Sequence, residues 1–285
     1  MLPFIWGSIG GNYSIVPPPP AQFQFGAVSI GPGTSVQSYY SRPQTLANPN
    51  QYPAAGLGVL VFFGQSNFSN VNPTTYVPVN SNVFVLSAVD GSIYTNSSPT
   101  IGTSTSSAVA GVGCTAIRIA DTLITNGNFT SVIVLDSALG GTAISPTWSA
   151  DSLGMIRVSF AQLAAHGLTP NAVIYGQGES DTGAGTSQAA YAAGLVSFVS
   201  NVRATGYAGP IFIAHQSWNL GSTSSNVTNA QDAAVNHGAG IWAGPNSDAF
   251  GATDRQADNT HFNDAGAALY ASAWVTSLHA FGAPF

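Results

Sequence analysis

The sequence predicts an α/β protein: a three-layer α/β/α sandwich on a mostly parallel sheet, preceded by an extended N-terminal arm. Three observations point there. Short continuous apolar runs at residues 57–63 (LGVLVFF), 131–135 (SVIVL) and 210–214 (PIFIA) have the character of strands buried on both faces. Segments with apolar residues at helical spacing lie between such runs, and that alternation demands β-α-β crossovers. Residues 1–55 follow neither pattern, which sets the domain boundary: an arm over 1–55 and a main domain over 56–285.

The arm carries Pro17 to Pro20 in succession, among glycines, serines and scattered aromatics. Four prolines in a row favour an extended left-handed segment and exclude a helix. The arm either packs on the main domain or docks a partner. The first strand then runs over 57–63 and ends at Gly64. Residues 82–95 hold two short β-like runs around Asp90-Gly91, a hairpin signal. A helical stripe of Val109, Val112, Ala116, Ile119 and Leu123 stops at Gly127.

The next strand, 131–135, leads into Gly140-Gly141-Thr142. Residues 150–166 place Leu153, Ile156, Phe160 and Leu163 on one helical face, with Gly167 as the stop. Residues 172–175 form a short strand, followed by a helix carrying Tyr191, Leu195, Phe198 and Val202. The strand at 210–214, a weaker helix at 224–236 and a strand at 240–243 come next. Asp264 is the expected cap of the last helix, which carries Leu269, Tyr270, Trp274 and Leu278. Ligands of such sheets bind at the carboxyl ends of the strands.

Composition narrows the function. Charged residues make up 6% of the chain, lysine is absent, and the formal net charge is −6. Such a chain is a poor partner for nucleic acid or an anionic membrane. A neutral or weakly acidic acylated polymer suits it better. Cys114 is the only cysteine, so there is no internal disulfide and no cysteine metal cluster; it reads as a small buried hydrophobe. The N-terminus lacks the pattern of a secretory signal, and an extracellular or virion-associated setting is the favoured expectation.

Three polar strings interrupt this background: Gly64-Gln65-Ser66-Asn67, Gly176-Gln177-Gly178-Glu179-Ser180-Asp181 and Asp258-Asn259-Thr260-His261. Each follows, or can reach, the end of an expected strand. Together they supply the equipment of acyl transfer. Ser66, at a strand-to-helix turn, is the candidate nucleophile. His261 is the base, because imidazole can take a proton near neutrality. Asp258, three residues earlier, can accept from its other ring nitrogen. The Ser66 amide, the Gly140 amide and the Gln177 side chain are candidate donors to the oxyanion, with Gly141 able to replace Gly140. Asn67, Glu179 and Asp181 are expected to brace these loops. His215 is the second choice of base. Trp148 and Trp218 are candidates to stack on a sugar.

GQSN, ALGGT, YGQGESD and DNTHFN, in this order, resemble the blocks of the SGNH (GDSL-like) hydrolase superfamily. They are most similar to its sialate O-acetylesterase-like branch, which includes the acetyl xylan esterases of carbohydrate esterase family six. The resemblance covers roughly residues 57 to 280. It implies a flavodoxin-like sandwich and hydrolysis of O-acetyl esters on carbohydrate without metal or cofactor. It also implies Ser66 as nucleophile, Gly140 and Gln177 as oxyanion partners, and Asp258 with His261 as orienter and base. Phe68 stands where methionine usually follows GQSN, and Tyr175-Gly176 replace a common Trp-His, so the pocket wall departs from the branch. Three other readings stay open: a short-chain lipid or aryl esterase on the same machinery; a structural or glycan-binding component of a virion or surface assembly; and a metal hydrolase using Asp258 and His261, for which no further ligand spacing is visible.

Overall fold

The structure, a computed structural model, describes residues 45–95, 99–100 and 113–285. Most of the expected arm, and Val109 and Val112 of the expected helix, lie outside the described residues.

Seven strands form one sheet: β1 (Leu57–Gly64), β2 (Val83–Leu86), β3 (Ile93–Thr95), β4 (Ser131–Asp136), β5 (Ala172–Gly176), β6 (Ile211–His215) and β7 (Ile241–Asn246). Their order is β3-β2-β4-β1-β5-β6-β7, parallel throughout except for β3, which returns antiparallel on β2 as the Asp90-Gly91 signal predicts. From the central β1 the chain first builds one half of the sheet and then crosses to build the other. The change of direction falls between β4, β1 and β5, and a crevice opens above their carboxyl ends.

Residues of β1 alternate between two cores. Val59, Val61 and Phe63 face one, and Leu60 and Phe62 face the other. The first core is closed by α2 (Met155–Ala165), α4 (Gln188–Ala204) and α5 (Ser225–Ala234), through Ile156, Leu163, Phe198 and Val227. The second is closed by α1 (Thr115–Thr125) and α6 (Asp264–Phe281), through Ile119, Leu123, Tyr270 and Trp274. A fully buried aromatic such as Phe62 contributes about 1.5–3 kcal/mol by leaving water. This double burial is why strands of unbroken apolar character, not alternating ones, carry the sheet.

Four local expectations need correction. The turn after β1 does not lead into a helix: Phe68 and Ser69 both donate back to the Gln65 carbonyl, and the chain then continues irregularly to Pro73. Within 150–166 the regular helix begins only at Met155, because Asp151 and Gly154 adopt positive φ; the Asp151 carboxylate caps it, accepting from the Ile156 and Arg157 amides. Asn263, not Asp264, caps α6 by accepting from Gly266 N–H. A short helix, α3 (Glu179–Ala184), begins inside the YGQGESD string, at Glu179. At the start of the described chain, Leu46 bridges to Tyr94 of β3 and Tyr52 packs edge-on to Phe84, so residues 45–52 extend the sheet's edge.

Candidate active site

Ser66 stands one turn beyond β1, where Gly64 and Gly176 end their strands side by side. Only glycine fits at 64: φ is +135°, and a Cβ would lie 2.0 Å from the Gly176 carbonyl oxygen. The close approach lets Gln65 N–H donate to that carbonyl at 3.0 Å. Gln65 Oε1 then accepts from Gln177 Nε2 at 3.0 Å, Ser180 N–H at 3.2 Å and Gly178 N–H at 3.4 Å. One side-chain amide thus joins the first polar string to the second.

Asn67, fully buried, joins both to the third. Its Nδ2 donates to Glu179 Oε1 at 2.6 Å, and its Oδ1 accepts from Phe262 N–H at 3.1 Å. Glu179 Oε1 also accepts from Gln216 Nε2 at 2.7 Å, whereas Oε2 has no partner. Burial pushes the Glu179 carboxyl above its ordinary range, partly offset by Asn67, its own amide, Gln216 and the positive charge of Arg255. Arg255, also buried, donates to the carbonyls of Thr260, Ser247 and Phe250 and so holds the last loop from beneath.

The result is a linear array. Ser66 Oγ lies 2.8 Å from His261 Nε2, and His261 Nδ1 lies 2.6 Å from Asp258 Oδ2. Asp258 Oδ1 accepts from the Thr260 and His261 amides at 2.9 and 3.0 Å, which fixes the carboxylate in its own turn. Partial burial acts to raise the Asp258 carboxyl, but its bonds from the His261 ring and these two amides outweigh that and hold it below the usual carboxylate range. The Ser66 side of the array is enclosed, with Ser66 4% exposed, while the side chains of His261 and Asp258 are 25% and 44% exposed. A hydroxyl, a ring nitrogen and a carboxylate in this sequence can pass a proton away from the oxygen as it attacks.

Donors for a developing oxyanion lie nearby. The amides of Ser66, Gly140 and Gly141 have no acceptor among the described residues. Gly141, at φ +73°, lines the cavity beside Ser66. The loop bearing both glycines is tied down by Asp181, whose Oδ2 accepts from Ile144 N–H at 2.7 Å and from Gln177 Nε2 at 2.6 Å.

Gln177 departs from the oxyanion role expected of it. Its side chain is fully buried, with Nε2 committed to Gln65, Thr142 and Asp181, and with Oε1 accepting from Tyr191. It braces the loops in the way expected of Glu179 and Asp181. Trp148 is likewise buried, its indole N–H donating to Thr142 Oγ1, so it offers no face to a sugar. Trp218 is half-buried, with its N–H on the Asn259 carbonyl. His215 pairs with Asp232 at 2.9 Å and does not line the site. Cys114 is buried as expected, but it caps α1 and donates to the Phe68 carbonyl and to Asp136.

The cavity at Ser66 has a volume of about 250 Å³; Asn219, Leu220 and Ser180 line it with the residues of the array. Sequence reasoning missed Asn219 and Leu220. Their signal was an Asn-Leu-Gly turn in the loop that follows the strand ending at His215. A larger cavity of about 470 Å³, lined by Arg157, Phe160 and Asn201, contains none of the expected site residues. No group of three or more metal-ligating side chains occurs among the described residues.

Comparison with solved structures finds the same fold at low sequence identity. A protein of Arabidopsis thaliana superposes with a TM-score of 0.62 at 17% identity, over 79% of this chain and 98% of that one. A carbohydrate acetylesterase of Xanthomonas citri gives 0.53 at 13%, over 78% of this chain and 56% of the longer protein. A lipase/acylhydrolase of Enterococcus faecalis gives 0.50 at 13%, over 80% and 98%. No protein with a curated description matches the sequence. The family model for carbohydrate esterases described as sialic acid-specific acetylesterases matches residues 55–276, most of the chain. The chain belongs to this carbohydrate esterase family and is a carboxylic ester hydrolase.

Proposed function

We propose that the protein removes acetyl groups from O-acetylated carbohydrate through a covalent acyl-enzyme on Ser66. The carrying observation is the array itself: Ser66 Oγ at 2.8 Å from His261 Nε2, with Asp258 Oδ2 at 2.6 Å from the opposite ring nitrogen. Asp258 holds the proton of neutral His261 on Nδ1, leaving the Nε2 lone pair to take the serine proton. Ser66 Oγ attacks the ester carbon, and the carbonyl oxygen gains charge facing the Ser66 amide and that of Gly140 or of Gly141, the glycine that lines the cavity. Loss of one such donor costs about 3 kcal/mol of transition-state stabilisation. Protonated His261 gives its proton to the departing sugar oxygen, and acetate remains esterified to Ser66. Water then donates a proton to His261 and attacks the acyl carbon, releasing acetate and restoring the serine.

Two further observations support the acetyl and carbohydrate parts of this reading. The cavity of about 250 Å³ is smaller than the roughly 300 Å³ at which drug-sized pockets begin, leaving little room for a long acyl chain. A fold neighbour acts as a carbohydrate acetylesterase. Ser66→Ala and His261→Ala should each abolish release of nitrophenol from 4-nitrophenyl acetate while retaining the wild-type circular dichroism spectrum. Turnover within tenfold of wild type by either folded variant refutes the mechanism.

A further inference from the structure

Resting on the reading just given, we propose that Gln65, not Gln177, is the side-chain donor to the oxyanion, its Nε2 hydrogen-bonding the ester carbonyl oxygen as charge develops there. Gln65 precedes the nucleophile and is 2% exposed, yet it lines the cavity at Ser66. Its Oε1 accepts from Gln177 Nε2, Ser180 N–H and Gly178 N–H, while its Nε2 meets no acceptor among the described residues. Nor is Nε2 among the polar atoms sealed away from solvent, so the opening it reaches is the cavity. A nearly buried NH2 with neither hydrogen bonded to protein is costly to keep. Gln177 shows that this fold can engage both ends of such an amide where only a brace is needed.

The orientation of the Gln65 amide is fixed. Two donors to Oε1 are backbone N–H groups, so exchanging Oε1 and Nε2 would set N–H against N–H at both Gly178 and Ser180. The third donor, Gln177 Nε2, is itself held by Asp181 Oδ2 at 2.6 Å and the Thr142 carbonyl at 3.0 Å. Asp181 therefore sets Gln177, and Gln177 helps to set Gln65. The Gln65 backbone adds a further tie, its N–H on the Gly176 carbonyl at 3.0 Å. Three bonds accepted at Oε1 draw electron density toward that oxygen, which makes Nε2–H the stronger donor.

Catalysis needs donors in place before the charge appears, because reorienting one during the reaction gives back what it contributes. Gln65 meets that condition, and chain continuity keeps it beside Ser66, whose own amide is unpaired. The glycine amides at 140 and 141 belong to the loop that Thr142 and Ile144 tie to Gln177 and Asp181. Gln177 is thus the positioning residue for donors on both sides of it. In the acylation step Ser66 Oγ bonds to the acyl carbon and the carbonyl π pair moves onto oxygen. Nε2–H donates to that oxygen without giving up its proton. The C=O re-forms as the sugar oxygen departs with the proton from His261.

The test uses 4-nitrophenyl acetate as substrate and 1,1,1-trifluoroacetone as inhibitor; addition of Ser66 Oγ to that ketone gives a tetrahedral adduct with a charged oxygen. Gln65→Glu keeps an oxygen for the three donors and replaces the NH2 by a second oxygen. It should lower kcat about 10²–10³-fold, leave KM within about threefold of wild type, and weaken trifluoroacetone about thirtyfold or more. Gln65→Met, uncharged and of similar size, removes the donor without adding an anion and should lose about tenfold or more in both kcat and inhibitor affinity. Both are read on protein with the wild-type circular dichroism spectrum. A kcat within about fivefold of wild type in either variant overturns the role of Gln65, and so does a loss of kcat with unchanged affinity for trifluoroacetone, which marks a brace. Failure of both variants to fold assigns the amide to the scaffold and overturns the role as well. Each of these results leaves the esterase mechanism standing. Failure of the wild-type chain to turn over 4-nitrophenyl acetate, or an active Ser66→Ala, overturns the mechanism and the role of Gln65 together.

Discussion

Replacing Asp258 by asparagine should cripple the enzyme more than removing the side chain altogether. Oδ1 of Asp258 accepts two backbone N–H groups, from Thr260 and His261, while Oδ2 faces the ring nitrogen of His261. In Asp258→Asn the amide must keep its oxygen toward those two donors, because the opposite orientation sets N–H against N–H twice. Its NH2 then points at His261 Nδ1 and donates to it. The ring proton is driven to Nε2, which faces Ser66 Oγ at 2.8 Å and can no longer accept. In a buried triad this wrong tautomer costs about 10⁴-fold in kcat. Asp258 is 44% exposed, so water competes for the ring nitrogen, and a loss between about 10² and 10⁴-fold is expected here. Asp258→Ala leaves the ring free to take either tautomer and should retain more activity than Asp258→Asn. The assay is steady-state hydrolysis of 4-nitrophenyl acetate on folded variants, with the imidazole tautomer read by ¹⁵N chemical shifts. Asp258→Asn within fivefold of wild type, or Asp258→Ala the weaker of the two, refutes the orientation argument.

Two further perturbations test the scaffold. Asp136, fully buried at the end of β4, has its carboxyl pushed to about 7 by burial, partly offset by bonds from Cys114, Ala138 N–H and Thr100. A carboxyl whose folded pKa exceeds its unfolded one binds a proton preferentially in the folded state. Its contribution is therefore complete below about pH 4 and is lost as pH rises through about 7, a span worth at most about 4 kcal/mol. Urea unfolding of Asp136→Asn at pH 5 and pH 8 should show a smaller drop in stability between the two than wild type does; an equal drop counts against it. Gly178→Ala should cost about 3 kcal/mol or more, because φ is +154° and the new Cβ would lie 1.8 Å from the Gln216 carbonyl; a Tm within 2 °C of wild type, by about the shift expected for less than 1 kcal/mol, contradicts this.

The sheet was legible because its strands are buried on both faces and so read as unbroken apolar runs, from 57–63 to 210–214. The three polar strings were legible for the opposite reason: in a chain with 6% charged residues, a cluster such as Glu179-Ser180-Asp181 has few bland explanations. What stayed hidden was set by long-range contact. Gln177 carries the side chain of an oxyanion donor, but only the folded chain places Thr142 O, Asp181 and Gln65 around its Nε2. Trp148 looks like a sugar platform until the first core closes over it. Leu220 looks like an ordinary core leucine, and its exposure follows from a turn fastened to Thr260, forty residues away in sequence.

The corrected role of Gln177 points to how this site can work with so few charges. Loops from three strand ends must be held to the tolerance of a hydrogen bond, and ion pairs are scarce. Amides do much of this work: Gln65, Asn67, Gln177, Gln216 and Gln231 are all buried; Gln65 binds the second polar string at several points, and each of the other four bonds to at least two other segments. An amide supplies both donor and acceptor without the desolvation cost of a full charge, so it can join loops from within a core. It is also directional, and a flipped amide leaves partners unpaired on both sides. Rigidity is thereby obtained from amides acting together with the buried Glu179, Asp181 and Arg255. The Asp258–His261 pair at the mouth is left as the polarised element closest to the serine oxygen, as proton transfer from that oxygen requires.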